Sequence, residues 1–216
     1  MEISGNSSFE VWKKALKYLL EEGEDYIDKN GRSGKEYINL LLTVESAAEV
    51  EKPIEILSSF KKWVYPPLEE MKSFILGKKE VPGYYYNYGE RAFNSEWRNQ
   101  VEDYIIPLLK STPESKRAII VFYNPGKDSY LHKKETPGMV MMSFILRKNK
   151  LHATAIIRSN EMFFGWPGNI YQLYLVQDYI CKQINCPPGK LATVSVSAHF
   201  FNEQLEDIQK VISMRR

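Results

Sequence analysis

The tightest constraint on this chain is the run from Leu191 to Phe201. Thr193, Ser195, Ser197, His199 and Phe201 alternate there with Ala192, Val194, Val196, Ala198 and Phe200. Period-two alternation of that length is a β-strand with two unlike faces, and one of them has to lie on an apolar layer. Other segments supply a sheet for it. Met139 to Arg147 and Leu151 to Ser159 flank Lys148-Asn149-Lys150 and read as a hairpin. In its second arm His152, Thr154, Ile156 and Arg158 share a face. Tyr37 to Val44 and Ala118 to Tyr123 read as further strands.

Helical signals are interspersed with these. Ser7-x-x-Glu10 has capping-box spacing, Phe9, Trp12, Leu16, Leu19 and Leu20 follow helical periodicity, and Gly23 is a stop. Arg32-Ser33-Gly34-Lys35 reads as a polar loop. Pro66-Pro67 opens a helix through Leu68, Met71, Phe74 and Ile75, ended by Gly77. Pro82 to Gly89 is a Tyr-rich loop. Trp97, Val101, Tyr104, Ile105 and Leu108 make another amphipathic helix, followed by a polar loop from Asn124 to Thr136. Asn169 to Ile184 and Gln204 to Ile212 are also helical. The irregular interleaving predicts an α+β layered fold with a mixed sheet rather than a strict βαβ repeat.

With 216 residues the chain is expected to form one domain over 1–216. Its 29 Lys+Arg against 27 Asp+Glu leave a formal net charge of +2, which argues against coating nucleic acid. The longest apolar stretch, Met139 to Leu146, is too short for a membrane span. The start MEISGNSSFE has neither a basic n-region nor an apolar h-region, so the expectation is a cytoplasmic protein. Cys181 and Cys186 cannot make a disulfide scaffold. His132, His152 and His199 are not at metal-ligand spacing, so no metal is expected. Glycine-rich phosphate loops, HExxH, GxSxG and CxxC are absent. Basic residues beside turns and one histidine on a polar strand face remain, and alone these fit surface and structural roles.

Their order narrows the reading. Ile157-Arg158-Ser159-Asn160-Glu161-Met162-Phe163-Phe164-Gly165-Trp166-Pro167-Gly168-Asn169 strongly resembles the nucleotide-binding stretch of the thymidylate synthase family, RSxD followed by LGxPxN and a helix. Ser197-Ala198-His199-Phe200-Phe201 looks like that family's D-x-H-x-Y strand, and Ser115-Lys116-Arg117-Ala118-Ile119-Ile120 like its SRR-hydrophobic strand. Tyr88-Gly89 matches its YG loop and Gly31-Arg32-Ser33-Gly34 its DRTG loop. Glu69-Glu70 with Phe74 and Gly77 matches its helix bearing a functional glutamate. The resemblance runs from about Arg32 to Ile212. The compact length and the RSN variant are similar to archaeal-type synthases and phage hydroxymethylases.

The resemblance implies a three-layer α+β fold that forms a homodimer through sheet packing and takes a pyrimidine nucleoside 5′-monophosphate, uridylate-like by preference. Arg158 and Ser159 would hold the phosphate with Arg32, and Lys116-Arg117 would come from a partner subunit. Guanidinium forks suit a phosphate dianion better than a point charge does. Asn169 would read the base edge, since an amide offers donor and acceptor together. His199 would contact the sugar, Tyr88 and Gly138 would line the substrate pocket, and Glu70 would be the acid–base residue.

The departures concern chemistry. The family nucleophile lies in a proline-cysteine dipeptide just before the hairpin, where this chain has Pro137-Gly138. In that mechanism a thiolate adds to C6 of the pyrimidine and makes C5 nucleophilic; glycine cannot. Cys181, on an apolar helix face, and Cys186, in a turn, read as structural. Phe201 replaces a tyrosine, Glu161 an aspartate, and Gly168 a bulkier residue, which is expected to open space beside Asn169. Nothing up to Arg216 matches the segment that closes over reduced folate, so folate stays an open cofactor. The expectation is a transferase-like protein with a diverged, cysteine-independent reaction, in specialised nucleotide or natural-product metabolism. The alternative is a non-catalytic nucleotide-binding or regulatory homologue.

Overall fold

A computed structural model describes residues 1–77, 86–94 and 98–215. The strands are β1 (Glu2–Gly5), β2 (Glu24–Ile27), β3 (Ser33–Val44), β4 (Ile119–Val121), β5 (Met139–Arg147), β6 (Lys150–Glu161) and β7 (Pro188–Phe201). The helices are α1 (Ser8–Glu22), α2 (Lys52–Ser59), α3 (Leu68–Ile75), α4 (Tyr88–Phe93), α5 (Ile106–Ser111), α6 (Pro125–Asp128), α7 (Gly165–Ile184) and α8 (Leu205–Ser213). This is an α+β fold around a mixed sheet ordered β1-β3-β7-β6-β5-β4, with β2 paired to β3. The β1–β3 and β6–β7 pairs are parallel and the others antiparallel. Among the described residues, no helix is long and apolar enough to cross a membrane.

Local chemistry accounts for most of these elements. Ser7 caps α1 by accepting the Glu10 N–H at 3.2 Å, and Val11, Trp12, Ala15, Leu16 and Leu19 make its buried stripe. Gly23 stops it in an extended conformation (φ −70°), not a left-handed one. The β5–β6 hairpin turns on Lys148 and Asn149, both at positive φ (49° and 57°), as a two-residue primed turn requires. Val101–Ile105 winds as a π-turn into α5. Pro107 has no N–H to give to the Asp103 carbonyl, and the Arg98 guanidinium takes that acceptor at 2.8 Å. Trp97 and residues 82–85 of the Tyr-rich stretch lie outside the described residues.

Several expected boundaries need correction. Ser33–Lys35 is strand, because all three pair with β2 and Gly34 and Lys35 also pair with β7. Tyr88 and Gly89 start α4, capped by the Asn87 side chain, and do not lie in a loop. The helix expected from Asn169 begins at Gly165.

The larger correction concerns the faces. Inward alternation changes phase at one level across four strands. In β5 it passes from Met139 to Met142, in β6 from Ile157 to Asn160, and in β7 from Ser195 to Ala198. In β3 Asn39 sits at φ 62° at the same level. The five polar-side positions of β7 therefore do not form one outward face. Thr193 and Ser195 point into the helical layer, fully buried, where Thr193 Oγ1 accepts the Trp166 indole N–H at 2.9 Å. On the far side Ile38 and Val196 are 54% and 44% exposed.

The kinked sheet and its candidate site

The phase change builds the site. It leaves Arg158 and Ser159 adjacent and exposed between buried Ile157 and Asn160. The Arg158 N–H donates to the Gly138 carbonyl at 2.9 Å, tying β6 to the start of β5. One edge of the guanidinium is clamped: Nε donates to the Pro137 carbonyl, and Nη2 to the Thr136 carbonyl and Oγ1, each at 2.9 Å. Those bonds fix a cation on the residue beside Ser159 and leave Nη1 uncommitted among the described residues, a geometry suited to an oxyanion.

Gly138 borders the same spot. A Cβ built on it meets nothing nearer than the Ser159 carbonyl at 3.4 Å and the Tyr88 hydroxyl at 3.6 Å. Tyr88 is held in place because its hydroxyl accepts the Met139 N–H at 2.8 Å and its ring packs edge-on against Phe122. Burial raises its pKa, so the phenol stays protonated.

Asn169, in the first turns of α7, donates through Nδ2 to Asn160 Oδ1 at 3.0 Å. His199 is 8% exposed, between the rings of Tyr26 and Phe201, with Nδ1 3.2 Å from Ser197 Oγ. Burial holds its pKa below the usual imidazole value, so it is neutral at neutral pH. Ser197 in turn donates to Glu36.

Other expected residues lie elsewhere. Ser159 is level with Ser197, and Gly34 with Phe201. At the usual strand spacings this separates Gly34 from Ser159 by roughly 16 Å, and Arg32 lies two residues further away. Arg32 instead stacks on Phe201 at 3.4 Å and pairs with Glu203 at 2.6 Å. Lys116 and Arg117 are exposed just before β4, roughly 20 Å from Arg158 at the opposite end of β5 by the same spacing. Glu70 lies half-buried in the first turn of α3, next to Met71.

A cavity of about 310 Å³ opens between α3, residues 86–88 and the start of α7. Tyr65, Phe74, Tyr86, Tyr88 and Phe164 supply aromatic faces, and Glu135 and Gln172 are among its polar groups. Gly168 does not open space into it. A Cβ there would come within 2.7 Å of the Tyr65 hydroxyl, which accepts the Gly168 N–H at 3.0 Å and donates to the Phe164 carbonyl. Tyr65 fills the notch, and nothing local to Gly168 in sequence announces it. Glu161 is the other surprise. Its carboxylate accepts the N–H groups of Phe163, Phe164 and Gly165 at 2.7, 2.8 and 3.2 Å, serving the start of α7. Burial outweighs these bonds and pushes its pKa up to about 7. Both thiols are remote, near the end of α7. The Sγ atoms of Cys181 and Cys186 are 3.8 Å apart, and burial raises the Cys181 pKa well above the thiol norm.

Known proteins resemble this chain over most of its length. A protein of Methanosarcina mazei named "Putative thymidylate synthase" is 27% identical over 205 residues, covering 94% of this chain and 90% of its own length. A protein of the same name from Methanothermobacter thermautotrophicus is 25% identical, covering 97% of each chain. The "Thymidylate synthase" of Francisella tularensis is 23% identical, covering 92% of this chain and 82% of its own. The family model described as thymidylate synthase matches residues 10–216. The kinked sheet, the arginine–serine pair at its bend and the asparagine of α7 thus sit on a chain that belongs to the thymidylate synthase family.

Proposed function

We propose that this protein binds a pyrimidine nucleoside 5′-monophosphate at the sheet kink and acts on its ring without a cysteine nucleophile. The observation that carries the reading is the surface around Gly138. Arg158 and Ser159 stand ready for a phosphate, Asn169 for a base edge, and position 138 has room for a side chain but none to attack C6. His199 serves the sugar as a neutral donor or acceptor, and Tyr88 borders the ring. Glu70 is the acid–base residue, on the helix that walls the cavity with Met71 and Phe74. Lys116 and Arg117 complete the phosphate site from a second copy, which packs on the face carrying Ile38 and Val196. The reaction is of the transferase type and belongs to specialised nucleotide or natural-product metabolism in the cytoplasm.

Reduced folate does not fit this reading. The cavity walls offer rings for a flat heterocycle, but the notch at Gly168 is taken by Tyr65, and among the described lining residues Glu135 is the one that carries a charge. Among the described lining residues no cation meets the carboxylates of a folate tail, so no step is routed through it.

A second reading, nucleotide binding without catalysis, is favoured by the position of the thiols, neither of which is near Gly138 in the fold. The test incubates the native chain, the Cys181→Ser/Cys186→Ser double variant and Glu70→Gln with candidate nucleotides, and follows products by mass. The expected result is product from the native chain and the cysteine variant, loss with Glu70→Gln, and no dTMP from dUMP and methylenetetrahydrofolate. Folate-dependent dTMP synthesis overturns the cysteine-independent reading. Equal inertness of all variants that still bind nucleotide establishes the second.

A further inference from the structure

Behind Asn169 stand two more hydrogen-bonding side chains, both fully buried. Asn169 Nδ2 donates to Asn160 Oδ1 at 3.0 Å, and Asn160 Nδ2 donates to Ser195 Oγ at 2.9 Å. The last member decides how rigid this relay is. A hydroxyl donates as readily as it accepts. If both amides turn over together, Asn160 Nδ2 donates to Asn169 Oδ1, and the Ser195 hydroxyl donates to Asn160 Oδ1. Every bond is remade and no buried group is left unpaired. Both arrangements therefore keep the two bonds of the relay. A carboxylate or a backbone carbonyl in place of Ser195 would have allowed only one of them.

The turnover matters because it reverses what Asn169 shows to a base. Uracil presents a donor at N3 and an acceptor at O4. Cytosine presents an acceptor at N3 and a donor at its 4-amino group. An amide in a fixed place matches one order, and the same amide turned over matches the other. We propose that the Asn169–Asn160–Ser195 relay lets this site take uracil and cytosine nucleotides alike, and so removes the uridylate preference implied by the family resemblance. The inference rests on the nucleotide-binding reading above. Asn160 and Ser195 act through Asn169 and are positioning residues.

Calorimetric titration with UMP and CMP, and with dUMP and dCMP, tests the proposal. Each pair shares a sugar, so the ratio isolates the base. The native chain is expected to bind the members of a pair within about threefold. A locked bidentate amide discriminates by roughly tenfold or more. Asn160→Asp offers Asn169 only acceptors and holds it in one orientation, so the ratio should move to tenfold or beyond. Asn160→Leu removes the inner partner without choosing an orientation, so both bases should weaken by similar factors. Circular dichroism reports whether the aspartate variant folds; if it does not, the leucine variant decides. Tenfold discrimination by the native chain, an unchanged ratio in a folded Asn160→Asp, or selective loss of one base in Asn160→Leu overturns the relay. Binding of none of the four nucleotides overturns the nucleotide-binding reading itself, a different outcome from binding with strong base preference.

Discussion

The Tyr65–Gly168 contact makes a quantitative prediction. In Gly168→Ala the new Cβ would lie 2.7 Å from the Tyr65 hydroxyl, 3.3 Å from Cε1 and 3.4 Å from Cζ. Something must shift, and overpacking of this kind costs about 1–3 kcal/mol. Replacing glycine in a helix returns up to about 1 kcal/mol of that. Tyr65→Phe removes the clashing atom, but it also removes the partner of the Gly168 N–H and of the Phe164 carbonyl, a loss of about 1–3 kcal/mol. The double variant has no hydroxyl to strike, and its nearest contacts are the ring carbons at 3.3 and 3.4 Å. It should be as stable as Tyr65→Phe alone, so the two changes couple by the net cost of Gly168→Ala, up to about 2–3 kcal/mol, toward mutual rescue. Urea unfolding of the native chain and the three variants, at one protein concentration, measures this directly. Strictly additive losses would refute the claim that the tyrosine fills the glycine notch.

Gly138→Cys should fold with a thermal midpoint close to native, because its Cβ meets nothing inside 3.4 Å; a large drop in a calorimetric melt would show that the position has no room. Glu161 titrates at about 7 in the fold against a reference of 4.5, so the folded state binds the extra proton between those values and stability falls as pH rises through that window. At about 1.36 kcal/mol per pKa unit the fall is on the order of 3 kcal/mol; pH-dependent urea unfolding should show this slope in the native chain and lose it in Glu161→Gln, and a native slope of opposite sign contradicts the buried carboxylate. Val196→Asp should shift light scattering toward the monomer, because Val196 and Ile38 lie on the face assigned to the second copy; an unchanged mass contradicts that assignment.

What could be read from the sequence was what local rules control. The Ser7 cap and the hairpin around Lys148-Asn149-Lys150 each depend on neighbours a few residues apart, and the structure bears them out; the alternation from Leu191 holds only as far as Ser195. The phase change across the sheet could not be read that way. It is a property of four strands at one level, and no single strand's pattern contains it. The polar face of β7 was consequently misassigned, with Thr193 and Ser195 placed on one face with Ser197, His199 and Phe201 when they turn inward to buried partners on α7 and β6. Tyr65 was missed because 103 residues separate it from Gly168. Glu161 was noticed for its length but not for its bonds, which depend on how the chain turns into α7. Arg32 was placed by motif alone, and the Glu203 carboxylate it meets in the fold is legible only once β3 and β7 are paired.

The central claim is that the bend of the sheet holds a nucleotide by its 5′-phosphate, with Arg158 as the anchoring cation. Titrating the native chain and Arg158→Ala with UMP and with uridine, which lacks the phosphate, tests it most directly. Charge-assisted bonds to a phosphate contribute about 1.5–3 kcal/mol. The native chain should therefore bind UMP at least about tenfold more tightly than uridine, and Arg158→Ala should lose most of that difference while keeping its fold. Equal binding of UMP and uridine by the native chain, or a phosphate preference that survives Arg158→Ala intact, would contradict it.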